Sequence, residues 1–329
     1  MTQYTGLDSS HPHFASDFIP LDSAADGMFR KGRDGVLEIL TPLDRKVEFI
    51  CYADKTLTWV KSAMGHPALY PLPDASFEGP AEAVLMDLDG TSVHSEEFWI
   101  WVIEQSTARL LGNRSFELEE ADVPHVSGHS VSEHLQYCID KYCPGKSVEE
   151  ARKHYFDITR YELSEISQGR GRPGAFHPAP GLKEFLTELK RANVKIGLVT
   201  SGLYEKAWPE IVSAFATMAL GDPLKFYDAI ITAGHALGPG HCGTLGELAP
   251  KPHPWLYAET ARVGLGIDPE NRSRVIGFED SSAGVVSIRL AGFAAAGVSG
   301  GNIERSGVRP LLQHNFETLT DALPVVLGS

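Results

Sequence analysis

The spacing of apolar and polar residues changes character along this chain. Residues 1–35 are rich in Asp, Ser, Pro and Gly and show little periodicity, so they predict an irregular arm. Three short apolar runs follow, Val36–Leu40, Val47–Tyr52 and Thr56–Val60, broken by Pro42-Leu43-Asp44 and Ala53-Asp54-Lys55. Runs of strand length between turn-forming residues predict a small β-meander. Pro67, Pro71, Pro73 and Pro80 then predict an extended connector. Between 95 and 168 strand signal is scarce. Phe98, Trp99, Trp101, Val102, Ile103, Leu110 and Leu111 predict a helix that stops at Gly112-Asn113, with further helices at Ser132–Tyr142 and Val148–Gln168.

From Pro180-Gly181 the pattern becomes regular. Leu182, Phe185, Leu186 and Leu189 share one face of a helix over Leu182–Arg191. Strands at Val194–Val199, Tyr227–Thr232, Arg274–Phe278 and Phe293–Val298 alternate with helices around Tyr204–Phe215, Trp255–Val263 and Ala283–Leu290. Such alternation predicts an α/β fold with a parallel sheet covered on both faces, and ligands in such sheets bind at the carboxyl ends of the strands.

Composition narrows the possibilities. With 329 residues, 43% of them hydrophobic and 22% charged, the chain reads as an ordinary globular protein of about two domains. A net charge of −14 without a basic run makes nucleic acid and anionic membrane surfaces poor partners. Cys51, Cys138, Cys143 and Cys242 form no Cys-x-x-Cys pair, and no signal-peptide pattern or membrane-length apolar run is present, so a cytoplasmic location is expected.

The candidate chemistry gathers at predicted strand ends. Val84-Leu85-Met86 ends in Asp87-Leu88-Asp89-Gly90-Thr91. Carboxylates at i and i+2 of a strand point to one side, and two like charges that close need a cation, a shared proton or open water. A solvated turn is the plainer reading of Asp and Gly there. Thr200-Ser201-Gly202 ends a second strand and can offer a hydroxyl and backbone N–H groups to an anion. Lys251 lies between prolines in Ala249–Pro254. Glu279-Asp280 ends the Arg274–Phe278 strand, before Ser281-Ser282-Ala283-Gly284. Acidic residues meeting across a sheet make an oxygen-rich site of the kind that selects Mg2+. The stretch Gly234–Leu248, with His235, His241 and Cys242, reads as a surface excursion or a rim loop.

Taken in order, these four stretches resemble the motifs of the haloacid dehalogenase superfamily, in particular its β-phosphoglucomutase-like branch. The resemblance covers roughly residues 81–323. It implies a Rossmann-like core over 81–94 and 176–329 and a helical cap over 95–175, and leaves unexplained the β-rich extension over 1–80, whose pattern reads as a structural or homo-oligomer-forming appendage. It further implies Asp87 as nucleophile and Asp89 as general acid/base. Thr200, Ser201 and Gly202 would bind the phosphoryl group, with Lys251 as the fixed cation. Mg2+ would be held by Asp87, the carbonyl of Asp89, and Asp280, with Glu279 ligating directly or through water.

In the cap, Val126–His134 resembles the substrate-contacting loop of that branch, which makes Gly128, His129 and Ser130, with His125 nearby, specificity candidates. Two features favour hydrolysis over mutase chemistry: Trp99 departs from the histidine that mutases of the branch tend to carry there, and Thr91 is typical of phosphatases. His94 replaces an acid near the cap hinge. The expectation is a Mg2+-dependent phosphatase of a small phosphorylated metabolite. A phosphosugar mutase and a non-catalytic binding protein on the same scaffold are the alternatives.

Overall fold

A computed structural model describes residues 18–61, 67–126, 131–172, 174–234 and 249–328. Thirteen strands form three sheets among them. The first is an antiparallel meander in sequence order: β1 (Ile19–Leu21), β2 (Glu38–Thr41), β3 (Val47–Cys51), β4 (Thr56–Val60) and β5 (Ala68–Pro71). The sequence pattern finds the three middle strands. It misses β1 and β5 because each is short and holds a proline. A residue with no N–H is tolerated at a sheet edge, and β1 and β5 are the edges.

The remaining strands are β6 (Ala83–Asp87), β7 (Val93–His94), β8 (His177–Pro178), β9 (Lys195–Leu203), β10 (Ala229–Gly234), β11 (Val275–Glu279), β12 (Ala294–Val298) and β13 (His314–Phe316). Six of them build a parallel sheet in the order β10-β9-β6-β11-β12-β13. β6 is buried along its whole length, as a central strand covered on both faces must be. On one side Asp87 pairs with Val199, and on the other Met86 pairs with Phe278. This register brings Asp87, Thr200 and Glu279 to the same edge. β13 is too short and polar to be read from the sequence.

The helices follow from their apolar faces. In Leu182–Arg191 the residues Leu182, Phe185, Leu186 and Leu189 are fully buried, as the spacing predicts. The helix expected over Trp255–Val263 divides into an α-helix, Trp255–Glu259, and a π-helical turn, Thr260–Gly264. A side chain at Gly197 of β9 would strike Thr260 at 2.5 Å, so the turn lies directly on the sheet.

Two compact units result. One contains the described residues through Ser92, with Ala179–Ala207 and those from Leu220 onward. The sequence reading sets residues 1–80 apart from the parallel-sheet domain, but the described part of the extension shares its core. Leu40, Val47, Phe49, Val60 and Leu72 form one apolar cluster with Leu85, Leu256, Tyr257, Val285 and Ile288. Ile39 and Ile50 face the other way, packing with Ala24 and Val36, as strand alternation requires.

The second unit comprises Val93–Pro178 and Trp208–Ala219. Its helices Glu96–Leu111, Val131–Tyr142 and Val148–Ser167 are joined by the two-stranded β7–β8 ladder. Gly112 closes the first helix in the left-handed conformation at φ 63°, and Ser147 caps the third by accepting the Glu150 N–H. Phe98 stacks edge-on to Phe176 at 4.9 Å within its core.

Cys138 and Cys143 are buried free thiols and Cys51 is a half-buried one. Among the described residues no helix is long and apolar enough to cross a membrane. His235, His241 and Cys242 lie outside the described residues.

Candidate active site

Asp87 is the last residue of β6 and is buried. The Ser92 hydroxyl donates to its backbone carbonyl, which fastens the turn that follows. Gly90 in that turn has φ +85°, and a Cβ there would lie 2.1 Å from Oδ2 of Asp280, so only glycine lets the β6 and β11 ends approach.

Lys251 brings the carboxylates under control. Its Nζ donates to Oδ1 of Asp87 and, at 2.6 Å, to Oε1 of Glu279, with its side chain only 6% exposed. It also lies 5.0 Å from the centre of the Tyr257 ring. Burial works to discharge this ammonium, but Asp87 and Glu279 more than offset it, and its pKa rises.

Both oxygens of Glu279 are engaged by protein donors. Oε1 accepts from Lys251 and, at 2.7 Å, from the Tyr257 hydroxyl. Oε2 accepts the Ser281 hydroxyl at 2.9 Å, while Ser281 caps the helix Ser282–Leu290 through the Gly284 N–H. A Cβ at Gly284 would fall 1.7 Å from Glu279 Oε1. Glu279 is thereby fixed as the anchor of Lys251.

Asp89 is turned elsewhere. Its carboxylate accepts from the Thr200 hydroxyl at 3.2 Å and from Lys206 Nζ at 3.1 Å. Thr200 Oγ1 in turn accepts the Gly202 N–H at 2.8 Å, and the Ser201 hydroxyl accepts the Lys251 N–H at 3.1 Å. The two aspartates therefore occupy opposite environments. Burial, then Glu279, lifts Asp87 well above the usual carboxylate range despite Lys251. Burial also acts to raise Asp89, but Lys206 first, then Lys251 and Thr200, bring it below that range. Asp280 is pushed up to about 7 by burial and by Glu279.

The donor set fits a hard divalent cation. Asp87, Glu279 and Asp280 each place an oxygen within 4.8 Å of the others. Around them stand the Asp89 carboxylate and two ammonium groups, Lys251 and Lys206, so negative charge is in surplus. Burial first, and the neighbouring carboxylates after it, raise Asp87 and Asp280, and a cation bound there would offset both. With Glu279 engaged by Lys251, Tyr257 and Ser281, Asp87 and Asp280 are the carboxylates best placed to hold the ion.

All four motifs thus converge on one site. The sequence reading overlooked Lys206 and Tyr257. Lys206 had a legible signal, since a lysine in the first turn of the helix Tyr204–Met218 sits against the positive end of the helix dipole and calls for an anion nearby. Tyr257 had none, because a buried tyrosine in an apolar helix face looks like core. Gly128, His129 and Ser130 lie outside the described residues. His125 stacks on Tyr137 with ring centres 4.5 Å apart. Trp99 packs among Phe98, Tyr155 and Phe176 as part of the second unit's aromatic core.

A buried Asp87 with the partly exposed Asp89 two residues on, a clamped lysine and a carboxylate cluster that fits a hard cation, all at the carboxyl edge of a parallel sheet, define a carboxylate-centred hydrolase scaffold. Residues 84–230 match the model of the haloacid dehalogenase-like hydrolase family. The match begins after the N-terminal sheet and ends before Lys251. A validoxylamine A 7'-phosphate phosphatase from Streptomyces hygroscopicus subsp. limoneus is 27% identical over 218 residues, covering 66% of this chain and 85% of that protein. Among solved structures, the fold is shared with a predicted phosphoglycolate phosphatase from Haemophilus somnus 129pt. The TM-score is 0.55 and the identity 17%, with 75% of this chain and 98% of that one covered. It is also shared with a subfamily IA hydrolase from Geobacter sulfurreducens PCA, at TM-score 0.54 and 17% identity, over 77% of this chain and 100% of that one.

Proposed function

We propose that this protein is a Mg2+-dependent phosphatase that hydrolyses a small phosphorylated metabolite, such as a sugar phosphate, through an aspartyl phosphate on Asp87. The observation that carries the reading is the buried Lys251 clamped between Asp87 and Glu279, with Asp280 beside them. An ammonium held so firmly next to a carboxylate is suited to a dianionic phosphoryl group arriving at that carboxylate. The family match and the phosphatase named among its relatives support the same class.

An Asp87 carboxylate oxygen attacks phosphorus and the bond to the ester oxygen breaks, while Asp89 gives that oxygen a proton. Asp89 then takes a proton from water, which attacks phosphorus and frees Asp87 and inorganic phosphate. Thr200 and Lys206 orient the Asp89 carboxylate throughout. By keeping Asp89 ionised before substrate arrives, Lys206 favours the base half of its role. An anionic phosphoryl group sharing Lys206 weakens that hold, and Asp89 then takes up a proton from solvent, the proton it passes to the ester oxygen. Mg2+, held by Asp87, Asp280 and the Asp89 carbonyl, would supply charge neutralisation between nucleophile and phosphate.

The test is phosphate release from a panel of sugar phosphates and other small phosphomonoesters, with Mg2+ and with chelator. Mg2+-dependent release from a few related compounds is expected. Release that persists undiminished in chelator removes the metal from the reading, and silence across the panel removes the phosphatase. Asp89→Asn is expected to lose about 10²–10⁴-fold in the single-turnover rate of aspartyl-phosphate formation from alkyl phosphates. The loss on p-nitrophenyl phosphate should be much smaller, because that leaving group needs no proton. Equal losses on both would take Asp89 out of the acid role.

A further inference from the structure

The N-terminal sheet touches the active-site loops at two polar points. On β5, the Tyr70 hydroxyl lies 2.8 Å from Nδ1 of His253, two residues past Lys251. His253 is 4% exposed, and its Nε2 is buried without a hydrogen-bond partner, so Tyr70 is what holds the ring in place. The His253 carbonyl accepts the Ser287 hydroxyl at 2.6 Å, and its N–H donates to Pro250 at 3.1 Å. Lys251 is therefore pinned on one side by Ser201 and on the other by His253.

The second point is in the turn between β2 and β3. The Asp44 carboxylate accepts the Ser282 hydroxyl, and Leu43 N–H donates to Ser306 at 2.8 Å. Ser282 N–H donates to Oδ1 of Asn302 at 2.8 Å, and Asn302 N–H donates to the Asp280 carbonyl at 3.0 Å. Asp44, Ser282, Asn302 and Asp280 thus form one chain of contacts. Each of the two contacts reaches a different loop, one carrying the lysine and the other an acid of the cation site.

These loops need bracing. Asp87, Glu279 and Asp280 repel one another, and the repulsion acts to spread the strand ends apart. Catalytic groups displaced by about 1 Å lose on the order of a hundredfold in rate. We propose that the N-terminal sheet is a positioning element of the active site. Tyr70, through His253, sets the Lys251 loop, while Asp44, through Ser282 and Asn302, sets the Asp280 loop. The proposal rests on the phosphatase reading above and goes beyond it, since the sheet precedes the residues matched to the hydrolase family.

The experiment uses the full-length chain, p-nitrophenyl phosphate and Mg2+. Tyr70→Phe keeps the ring and removes the hydroxyl. It is expected to lower kcat roughly tenfold with KM almost unchanged, because Lys251 acts chiefly on charge that grows in the transition state. Asp44→Ala is expected to weaken Mg2+ binding at least fivefold in a calorimetric titration without substrate. Asp44→Asn, which still offers Ser282 an acceptor, should restore most of that affinity. Leu37→Ala, at an exposed residue just before β2, should change neither quantity.

Wild-type kcat in Tyr70→Phe together with wild-type Mg2+ affinity in Asp44→Ala overturns the proposal. Equal loss in Asp44→Ala and Asp44→Asn also overturns its second half. Should Asp44→Ala not fold, Ser282→Ala removes the same bond from the other side and is read the same way. If the wild type releases no phosphate, the phosphatase reading fails. The Mg2+ titration needs no turnover and still decides whether Asp44 sets the cation site.

Discussion

Asp87→Asn is expected to leave a folded protein with turnover reduced by at least about 10⁴-fold, since removing a nucleophile leaves only binding and electrostatics. The fold should survive because the substitution is nearly isosteric and eases a crowded cluster. Asp87 is buried beside Glu279 and Asp280, and an amide takes one charge out of that repulsion. Lys251 keeps its contact with Glu279 at 2.6 Å. Steady-state phosphate release, together with acid-quench trapping of a phosphorylated protein from labelled substrate, reads the outcome. Phosphate release at the wild-type rate, or labelling that survives in the variant, would falsify Asp87 as the nucleophile.

Lys251→Met should cost both activity and stability. The ammonium is 6% exposed and ties together two carboxylates that are 7% and 0% exposed. Breaking such a buried pair from one side costs about 3–5 kcal/mol, because the remaining charges stay out of water. Asp87, already raised by burial, lowers that cost by taking up a proton, so a loss near the lower end, about 3 kcal/mol, is expected in chelator. Loss of the fixed cation should also reduce kcat by about 10²–10³-fold, as for other donors aimed at developing charge.

The double variant Asp87→Asn/Lys251→Met separates the two effects. With Asp87 uncharged, the stability loss relative to Asp87→Asn alone should shrink by about 1 kcal/mol or more, the coupling expected of residues in one ion network. Denaturant unfolding of the four proteins measures it. Strict additivity would mean that the Lys251–Asp87 contact contributes nothing to the fold.

Much of this site can be read in the chain because its motifs are local. Asp87 and Asp89, Thr200 to Gly202, and Glu279-Asp280 each lie at or just past the end of an apolar strand run, and a parallel sheet brings such ends to one edge by its register, while Lys251 is marked by the prolines on either side of it. The amphipathic helix Leu182–Arg191 and the first helix of the second unit are equally legible, since an apolar face and a glycine stop are written into consecutive residues. Tyr257 and the partners of Asp89 are less so. Which carboxylate meets which lysine is settled by side-chain direction at the strand ends, and spacing along the sequence does not encode it.

The N-terminal sheet shows the same boundary on a larger scale. Alternating apolar residues determined that Val47–Cys51 and Thr56–Val60 are strands, and turn residues determined that they pair. They could not say what the sheet covers, because Val47 and Phe49 would be buried against any apolar partner. Only the tertiary structure puts that face on Leu256, Tyr257 and Val285, and so places Tyr70 beside His253 and Asp44 beside Ser282. Local pattern determines elements and the chemistry at their ends, whereas contacts between residues some two hundred positions apart depend on how those elements pack.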